Sequence, residues 1–365
     1  MTMTAIAAAA TLRGDAVLTS DVLHLGLGDC TIRLRSNSTA LIDHLSDYFS
    51  HVVIPPRNTN LEIVAVERDA PDLGVDFIDW QREPGKTGRK DSYLDLDGAR
   101  LVRKVRTGMV FLHGTADRIA AGPCLRNDNQ VINFINAQYM EWLQNRDWLI
   151  CHASGLIRDG RCLAIAGLSG GGKSTLMLRM MDDPRVSYLT NDRLFIRTGD
   201  GSTEAVGIPK LPRINPGTIV HNPALHGLMT AEQRDAYLAM PPDQLWTLED
   251  KYDVHLDRVY GSGRIAEQAS LSAFLVLNWE RNSEKPLKVE RGNLDERRDL
   301  LSAIMKSPGP FYQFTDGRFF SDSMALDETA YLKSLDAIDI FEASGGIDFD
   351  ALSQHCLNEL IGGKK

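Results

Sequence analysis

The residues best suited to do chemistry in this 365-residue chain lie between Gly167 and Ser174. They read Gly-Leu-Ser-Gly-Gly-Gly-Lys-Ser, which fits the phosphate-binding loop pattern G-x-x-x-x-G-K-[ST] without a gap or a substitution. Glycines allow backbone N–H groups to surround a polyphosphate, and the N-terminus of a following helix adds partial positive charge. We therefore predict a nucleotide-phosphate site in which Lys173 reaches the β- and γ-phosphates and the Ser174 hydroxyl binds Mg²⁺. The predicted phosphate contacts come from the loop and the first helical turn: Gly167, Ser169, Gly170, Gly171, Gly172, Lys173, Ser174 and Thr175.

The segments around this loop predict the elements that must hold it. The apolar run Cys162–Ala166 predicts a buried strand, and Thr175–Met181 predicts a helix built from strong helix formers. Val186–Asp192 predicts a second strand with a polar end. Because parallel sheets place ligands at the carboxyl ends of their strands, we expect Asp192 to meet the Mg²⁺ that Ser174 holds. The alternative for Asp192 is a helix cap or a surface turn.

Composition narrows the function classes. The formal net charge of −9 argues against a general nucleic-acid surface, and no apolar run approaches the length of a membrane span. The first twelve residues contain no basic residue, unlike a secretory signal, and we expect a loose N-terminal segment. The five cysteines form no C-x-x-C pair, which favours reduced thiols. The chain is thus predicted to be cytoplasmic, with neither a nucleic-acid nor a membrane partner.

Three features resemble the HPr kinase/phosphorylase family, whose nucleotide core is shared with phosphoenolpyruvate carboxykinases. The loop is similar to the family's G-x-S-G-x-G-K-S, with Ser169 at the third place. His152 stands 15 residues before Gly167 (167 − 152 = 15), the offset of a histidine in the family. Leu189–Arg193 is similar to the family's strand that ends in Asp-Asp.

A weaker similarity follows at Trp246–Asp253, which is close to the family's W-x-x-E-x-x-Y-D. The resemblance covers about Cys151 to Leu277. It implies an α/β P-loop nucleotide domain of the HPr-kinase/phosphoenolpyruvate-carboxykinase type, preceded by a smaller N-terminal α+β domain. It also implies assembly as a homo-oligomer.

The resemblance implies an ATP-dependent kinase that uses Mg²⁺ and transfers the γ-phosphoryl group to a hydroxyl. We expect the acceptor to be a serine of a protein or peptide. Two alternatives stay open. The same site would accept a small-molecule hydroxyl, such as that of a sugar or nucleoside. The second alternative is that the chain is a nucleotide-binding regulatory module without transfer activity.

The chain departs from the family at two catalytic positions. The family's general base, the first aspartate of its pair, is Asn191 here, and a neutral amide cannot accept a proton. His152 is the candidate to orient a catalytic group or to take the hydroxyl proton, because its unperturbed pKa lies near neutrality. The arginine that follows Tyr-Asp in the family is Val254, and Arg258 is the candidate replacement.

A third departure supplies two cations. The family's E-x-R-G segment has no copy, and a segment with Lys210 and Arg213 stands in its place. These side chains are candidates to neutralise a phosphate or a charge on the target. The alternative is that both are solvated loop cations.

The predicted organisation has four parts. Residues 1–127 read as an α+β domain of strands and short helices, and residues 128–148 as a connecting helix. Residues 149–325 form the predicted nucleotide domain. Residues 326–365 form a predicted C-terminal helical tail.

Overall fold

The computed structural model describes residues 3–81, 88–167, 171–199 and 201–362. The chain divides into two compact units, each built from two separate stretches of sequence. The first unit comprises Met1–Asp147 and Ser307–Ala325, and the second comprises Trp148–Lys306 and Leu326–Lys365. The fold is therefore mixed α/β, with a nucleotide-loop motif in the second unit.

The first unit is organised around a mixed sheet that has eight strands in its described residues. Along the chain its elements are α1 Ala5–Arg13, β1 Val22–Leu27, β2 Cys30–Ser36, α2 Thr39–Tyr48, β3 Leu61–Glu67, β4 Ile78–Asp79, β5 Asp91–Leu96, β6 Ala99–Lys104, β7 Val110–Gly114, β8 Arg118–Gly122 and α3 Asp128–Gln144. The strand order is β1-β2-β3-β8-β7-β6-β5-β4. β3 runs parallel to β2 and β8, and the remaining neighbours are antiparallel.

The N-terminal segment is ordered, whereas the sequence predicted a loose one. Its residues form α1, which begins where the Thr4 hydroxyl accepts a hydrogen bond from the Ala7 amide at 3.2 Å. Alanine has the highest helix propensity of the common residues. Ala8, Ala9 and Leu12 are buried in an apolar cluster with residues of β7 and β8. Tertiary burial of this one face stabilises a short helix that would be marginal in isolation.

The second unit is organised around a mixed sheet with nine strands in the described part of the chain. Its strands are β9 Leu149–Cys151, β10 Ala153–Arg158, β11 Arg161–Gly167, β12 Ser187–Thr190, β13 Leu194–Gly199, β14 Ser202–Val206, β15 Arg213–Ile214, β16 Tyr252–Asp253, β17 Gln268–Leu277, β18 Lys288–Arg291 and β19 Asp339–Ser344. β15 and β16 pair separately from the main sheet. The main order is β12-β10-β11-β17-β14-β13-β9, and β19 joins β17 and β18.

Helices cover both faces of this sheet. They are α4 Lys173–Met180, α5 Pro216–Val220, α6 Ala231–Leu238, α7 Pro242–Thr247, α8 Leu256–Tyr260, α9 Arg298–Ile304, α10 Glu328–Leu335 and α11 Phe349–His355. α4, α5 and α11 contribute to the core on one face, and α9 and α10 contribute to the core on the other. The parallel strands β11, β17 and β19 lie between these layers, as expected for strands buried on both faces.

The unit boundaries differ from the predicted domains in two places. Residues 307–325 belong to the first unit, although the sequence placed them in the nucleotide domain. Arg100 explains this, because its buried guanidinium donates hydrogen bonds to the Pro310 and Phe320 carbonyls at 3.1 and 2.8 Å. The predicted connecting helix at residues 128–148 is α3, and it packs within the first unit, with Phe134 5.0 Å from Phe111 between ring centroids.

The predicted helical tail is an integral part of the second unit. It contains α10 and α11, but the stretch between them is β19, which pairs in parallel with β17. α11 packs on α4, the helix that follows the phosphate loop. The tail therefore completes both the sheet and the helix layer of the nucleotide unit.

The five cysteines are free and buried. Burial raises the pKa of the Cys30, Cys124, Cys162 and Cys356 thiols to about 12, so they stay protonated at neutral pH. None of the helices in the described residues has the length and apolar character that a membrane-crossing helix needs.

Candidate functional site

Strand register brings the predicted catalytic residues to one edge of the sheet. β10 runs antiparallel to both β11 and β12, so β11 and β12 point the same way and end at the same edge. Ala153 pairs with Ala166, which puts His152 directly across from Gly167. The 15-residue offset between His152 and Gly167 is therefore a consequence of hairpin register. The turn with Asn191 follows β12 at that same edge.

A pocket of about 880 Å³ opens at this edge, within the second unit. Ten of the predicted site residues line it: His152, Gly171, Gly172, Lys173, Ser174, Thr175, Asn191, Asp192, Lys210 and Arg213. Ser169 and Gly170 lie outside the described residues. Gly167 ends β11 at the base of the loop, and Arg258 lies apart from the pocket.

The backbone turn at Gly172, directly before α4, requires glycine. Gly172 has a φ of +85°, and a Cβ there would lie 2.6 Å from the Phe349 ring. Phe349 in turn packs edge-to-face on Trp279, with ring centroids 5.0 Å apart. The Trp279 indole N–H donates to the Gly171 carbonyl at 3.0 Å. Two aromatic residues from distant parts of the sequence thus hold this side of the loop.

Replacing Gly172 with alanine should weaken ATP binding about tenfold or more. A non-glycine residue at such a φ costs about 1–3 kcal/mol, and the contact with Phe349 adds to this strain. Titration calorimetry with Mg·ATP measures the effect. Gly160→Ala is the matched control, because Gly160 has a φ of +76° and open space around its Cβ position.

The same experiment has a rescue arm. Phe349→Ala in the Gly172→Ala background removes the steric contact and should restore part of the affinity. Equal ATP affinity in Gly172→Ala and Gly160→Ala would show that the loop tolerates a side chain at Gly172.

Lys173 lies at the floor of the pocket. Its side chain is buried, and its ammonium donates a hydrogen bond to the Gly167 carbonyl at 2.8 Å. Lys173 also begins α4, whose first N–H groups have no partner within the helix. Ser174 and Thr175 follow in the first turn, and the Thr175 hydroxyl lies 2.8 Å from that of Thr218. The arrangement offers a cation, backbone donors and two hydroxyls to an anion.

Asp192 is held between two partners. Its carboxylate lies 3.3 Å from His152 Nε2 and 2.8 Å from Arg193 Nε. Burial opposes ionisation of Asp192, but the Arg193 charge and the His152 hydrogen bond outweigh it and hold the Asp192 pKa well below its usual range. Although 39% of its side chain is accessible, that surface faces a confined pocket. The carboxylate is therefore ionised at neutral pH.

His152 is neutral at the same pH. Burial lowers the His152 pKa, the hydrogen bond to Asp192 opposes the shift, and the Lys173 charge adds to it. An ionised carboxylate only accepts hydrogen bonds, so the Nε2–H of the imidazole donates to Asp192. The lone pair on Nδ1 is then the basic site of the ring. The pair consists of a neutral histidine oriented by a carboxylate.

Asn191 lies in the turn that follows β12. Its side chain lines the pocket, and its Oδ1 is buried without a hydrogen-bond partner among the described residues. The Asn191 backbone carbonyl accepts a hydrogen bond from the Ser154 hydroxyl at 2.6 Å. The amide oxygen can thus accept a hydrogen bond from a ligand hydroxyl, but it cannot remove the proton.

Two cations line the pocket beside this pair. Burial lowers the pKa of Lys210 to about 8, with Asp192 opposing the shift and Arg193 and Arg213 adding to it. Arg213 lies 3.6 Å from Asp253, to which it is paired across β15 and β16. Lys210 is therefore a pocket residue and not a solvated loop cation.

Arg258 is not among the residues that line the pocket. It is exposed on α8. Val254, which precedes α8, is fully buried, and its amide donates to the Pro212 carbonyl at 2.9 Å. The short α8 turns Arg258 outward, so the positive charge of the pocket comes from other residues.

Sequence reasoning missed Arg281 and Phe349, which line the pocket from the loop after β17 and from the start of α11. Arg281 donates to the Pro242 carbonyl at 3.0 Å, and its guanidinium carbon lies 4.6 Å from the centre of the Trp246 ring. Trp246 carried a signal, because it opens the weaker family similarity. Arg281 and Phe349 carry none, because their role depends on packing between distant segments.

The oxygen donors of the pocket fit a magnesium ion. Ser174 offers a hydroxyl and Asp192 a carboxylate, and both line the pocket with Lys173. Mg²⁺ prefers oxygen ligands and is usually held by one or two carboxylates together with water and substrate phosphates. Ser174 and Asp192 are therefore candidate ligands for this ion.

Comparisons with known proteins add little. No family model matches the chain, and no curated protein sequence matches it. Among solved structures, the chain is similar to the Hpr(Ser) kinase/phosphatase from Coxiella burnetii, with 10% identity over 57% of this chain and 88% of that chain. The TM-score is 0.28, which does not establish a common fold. The pocket is therefore the feature from which a function is inferred.

Proposed function

We propose that this chain is an ATP-dependent kinase that transfers the γ-phosphoryl group to a hydroxyl. One observation carries the proposal: His152 Nε2 lies 3.3 Å from the Asp192 carboxylate, in the same pocket as Lys173 and the start of α4. The acceptor that the sequence resemblance favours is a serine of a protein or peptide. Phosphoryl transfer needs mainly positioning and charge stabilisation, and these groups supply both.

Binding of the phosphates falls to the loop and α4. The Lys173 ammonium exchanges its bond with the Gly167 carbonyl for phosphate oxygens, and the N–H groups of the first turn of α4 donate to the same anion. Ser174 and Asp192 would hold Mg²⁺, which when bound would neutralise charge on the phosphates. The segment of α6 and α7, here called the flap, contributes the apolar side chains of Leu238 and Leu245 to the pocket lining.

Proton transfer falls to His152 and Asn191. The Asn191 amide oxygen accepts a hydrogen bond from the acceptor hydroxyl and orients it. As the hydroxyl oxygen bonds to the γ-phosphorus, the bond to the β–γ bridging oxygen breaks, and the hydroxyl proton passes to Nδ1 of His152. A weak base suffices because the transition state is loose and the proton leaves late. Asp192 stabilises the imidazolium that forms.

Lys210 predicts an alkaline limit to activity. Its ammonium is charged below a pKa of about 8, so the rate should fall as pH rises through that value. Lys210→Arg keeps the charge and should extend the plateau above pH 8, whereas Lys210→Met should be slower throughout. The check is turnover measured from pH 6.5 to about 9.5, a range that brackets the Lys210 pKa and lies below that of arginine.

Titration of Lys210 does not destabilise the fold in this pH range, so it does not produce such a limit through unfolding. Because the Lys210 pKa is lower in the folded chain than its ordinary 10.5, the unfolded chain binds more protons between about pH 8 and 10.5. This group therefore makes folding more favourable as pH rises in that window. An identical alkaline limb in wild type and Lys210→Arg would contradict the assignment.

The test of the proposed function is transfer of label from γ-labelled ATP. Purified protein and Mg²⁺ are incubated with a protein fraction and, separately, with a small-molecule fraction of the same extract. Acid-stable phosphoserine in the protein fraction is expected. Label in the small-molecule fraction alone would make the chain a small-molecule kinase. Nucleotide binding without transfer would make it a regulatory module, the alternative that Asn191 motivates.

A further inference from the structure

Trp246 and Arg281 form a stacked pair at the pocket, here called the aromatic platform. The Arg281 guanidinium lies 4.6 Å from the ring centre and is fixed by the Pro242 carbonyl and by the Asp243 carboxylate, 2.9 Å away. These contacts join the loop after β17 to the start of α7. The indole is thus backed by an ordered cation, an arrangement in which stacking is favourable.

The platform presents apolar surface that the described protein atoms leave uncovered. Trp246 is 38% exposed and Leu238 is 49% exposed, and both line the pocket that contains Lys173. α6 has no buried residue, so burial in the core of the protein does not account for the apolar side chain of Leu238 on this helix. Scattered exposed apolar side chains need no explanation, but two that line one polar-floored cavity indicate the apolar part of a ligand.

The chain connection ties this platform to the phosphate loop. Trp279, two residues before Arg281, donates its indole N–H to the Gly171 carbonyl. The loop after β17 therefore holds Gly171 with one side chain and α7 with another. The acceptor groups His152 and Asn191 come from different elements, at the start of β10 and after β12.

We propose that the aromatic platform binds the base of the donor nucleotide, which stacks on Trp246 while the loop holds the triphosphate. The inference rests on the proposed function, because the phosphate end of the ligand is assigned there. A nucleobase is planar and has a π-face that an indole can contact, whereas a serine acceptor needs polar contacts near its hydroxyl. The donor nucleotide is thus bound at both ends: its triphosphate by charge at the loop, and its base by stacking on Trp246 of α7.

The experiment compares ATP with inorganic tripolyphosphate, which has the phosphates but no base. Titration calorimetry in Mg²⁺ gives both affinities for wild type, Trp246→Ala and Trp246→Phe. Trp246→Ala should weaken ATP about tenfold or more, the size of one lost base–aromatic stack, and leave tripolyphosphate unchanged. Trp246→Phe should keep most of the ATP affinity, because it retains a ring.

Trp142→Ala is the matched control. Trp142 is also stacked by an arginine, Arg146, but it lies on α3 in the first unit. This variant should bind both ligands as wild type does. Circular dichroism of each variant verifies that the fold is retained, which is expected because Trp246 lies on an exposed helix.

Four outcomes overturn the inference, and one of them also overturns the proposed function. If Trp246→Ala changed the affinities for ATP and tripolyphosphate equally, or changed neither, the base would not bind at the platform. The assignment of the phosphates to the loop would be unaffected. If Trp246→Ala left the ATP affinity unchanged and raised the KM for the acceptor, the platform would bind the acceptor and not the base. A wild-type chain that binds neither ATP nor tripolyphosphate would end both proposals.

Discussion

Lys173→Ala is expected to lower phosphoryl transfer by at least about a hundredfold to a thousandfold, the usual loss when one preorganised donor is removed from a transition state. The side chain is buried at the pocket floor, and the proposed function assigns its charge to the β- and γ-phosphates. Alanine leaves the phosphate charge uncompensated in a confined site. Initial rates with saturating Mg·ATP measure the loss, and binding of tripolyphosphate should weaken in parallel.

A matched variant separates this effect from lost stability. Lys104 in the first unit is also a largely buried lysine, with its ammonium 2.7 Å from Asp91. Lys104→Ala should cost stability without a specific loss of transfer. Lys173→Met keeps the apolar stem of the side chain and should be as inactive as Lys173→Ala. A folded Lys173→Ala protein with wild-type turnover would end the kinase proposal.

Asp192→Asn should lower transfer by about a hundredfold to ten-thousandfold, the range that general acid–base catalysis supplies. The change removes a carboxylate that orients His152 and could hold Mg²⁺. An amide can leave the imidazole in the wrong tautomer and does not stabilise the imidazolium. Rates for Asp192→Asn, His152→Asn and the double variant test whether the two residues act as a unit. A double variant no slower than either single one is expected.

Stability should change much less than activity in Asp192→Asn. The Asp192 pKa is depressed in the folded chain, so its ion pairs stabilise folding fully above its ordinary pKa, and this stabilisation is lost as pH falls from that pKa through the folded-state pKa. With 39% of the side chain exposed, water screens these pairs and keeps their contribution small. Asp316→Asn is the control, because Arg318 likewise holds this carboxylate ionised, outside the pocket. Equal, small losses of activity in the two variants would reduce Asp192 to a turn residue.

Local sequence was enough to predict the elements around the loop. The predicted strand Cys162–Ala166 lies within β11, and the predicted helix Thr175–Met181 overlaps α4 up to Met180. Apolar runs and glycine demands are local properties, since they depend on backbone conformation and on burial within a few residues. The His152 offset belongs here too, because a hairpin with a fixed register converts sequence spacing into position across the strands.

Composition misled where tertiary burial decides order. The alanine-rich start has weak amphipathic character, yet packing against β7 and β8 makes it a helix. The segment 307–325 has no sequence feature that assigns it to the first unit. Its place follows from the buried Arg100, whose hydrogen bonds need carbonyls that only this segment brings. Long-range satisfaction of a buried cation cannot be predicted from the residues next to it.

The chemistry of the pocket divides in the same way. The sequence by itself predicted the phosphate loop and named His152 and Asp192 as separate candidates, for proton transfer and for Mg²⁺, because a motif and two strand ends specify them. The tertiary structure brought these two side chains within 3.3 Å of each other. Only the tertiary structure decided which of the candidate cations Lys210 and Arg258 lines the pocket: Lys210 lines it and is desolvated, whereas Arg258 is exposed outside it. It also brought Arg281 and Phe349 to the loop, because the parallel strands β17 and β19 deliver distant segments to the edge where β11 ends.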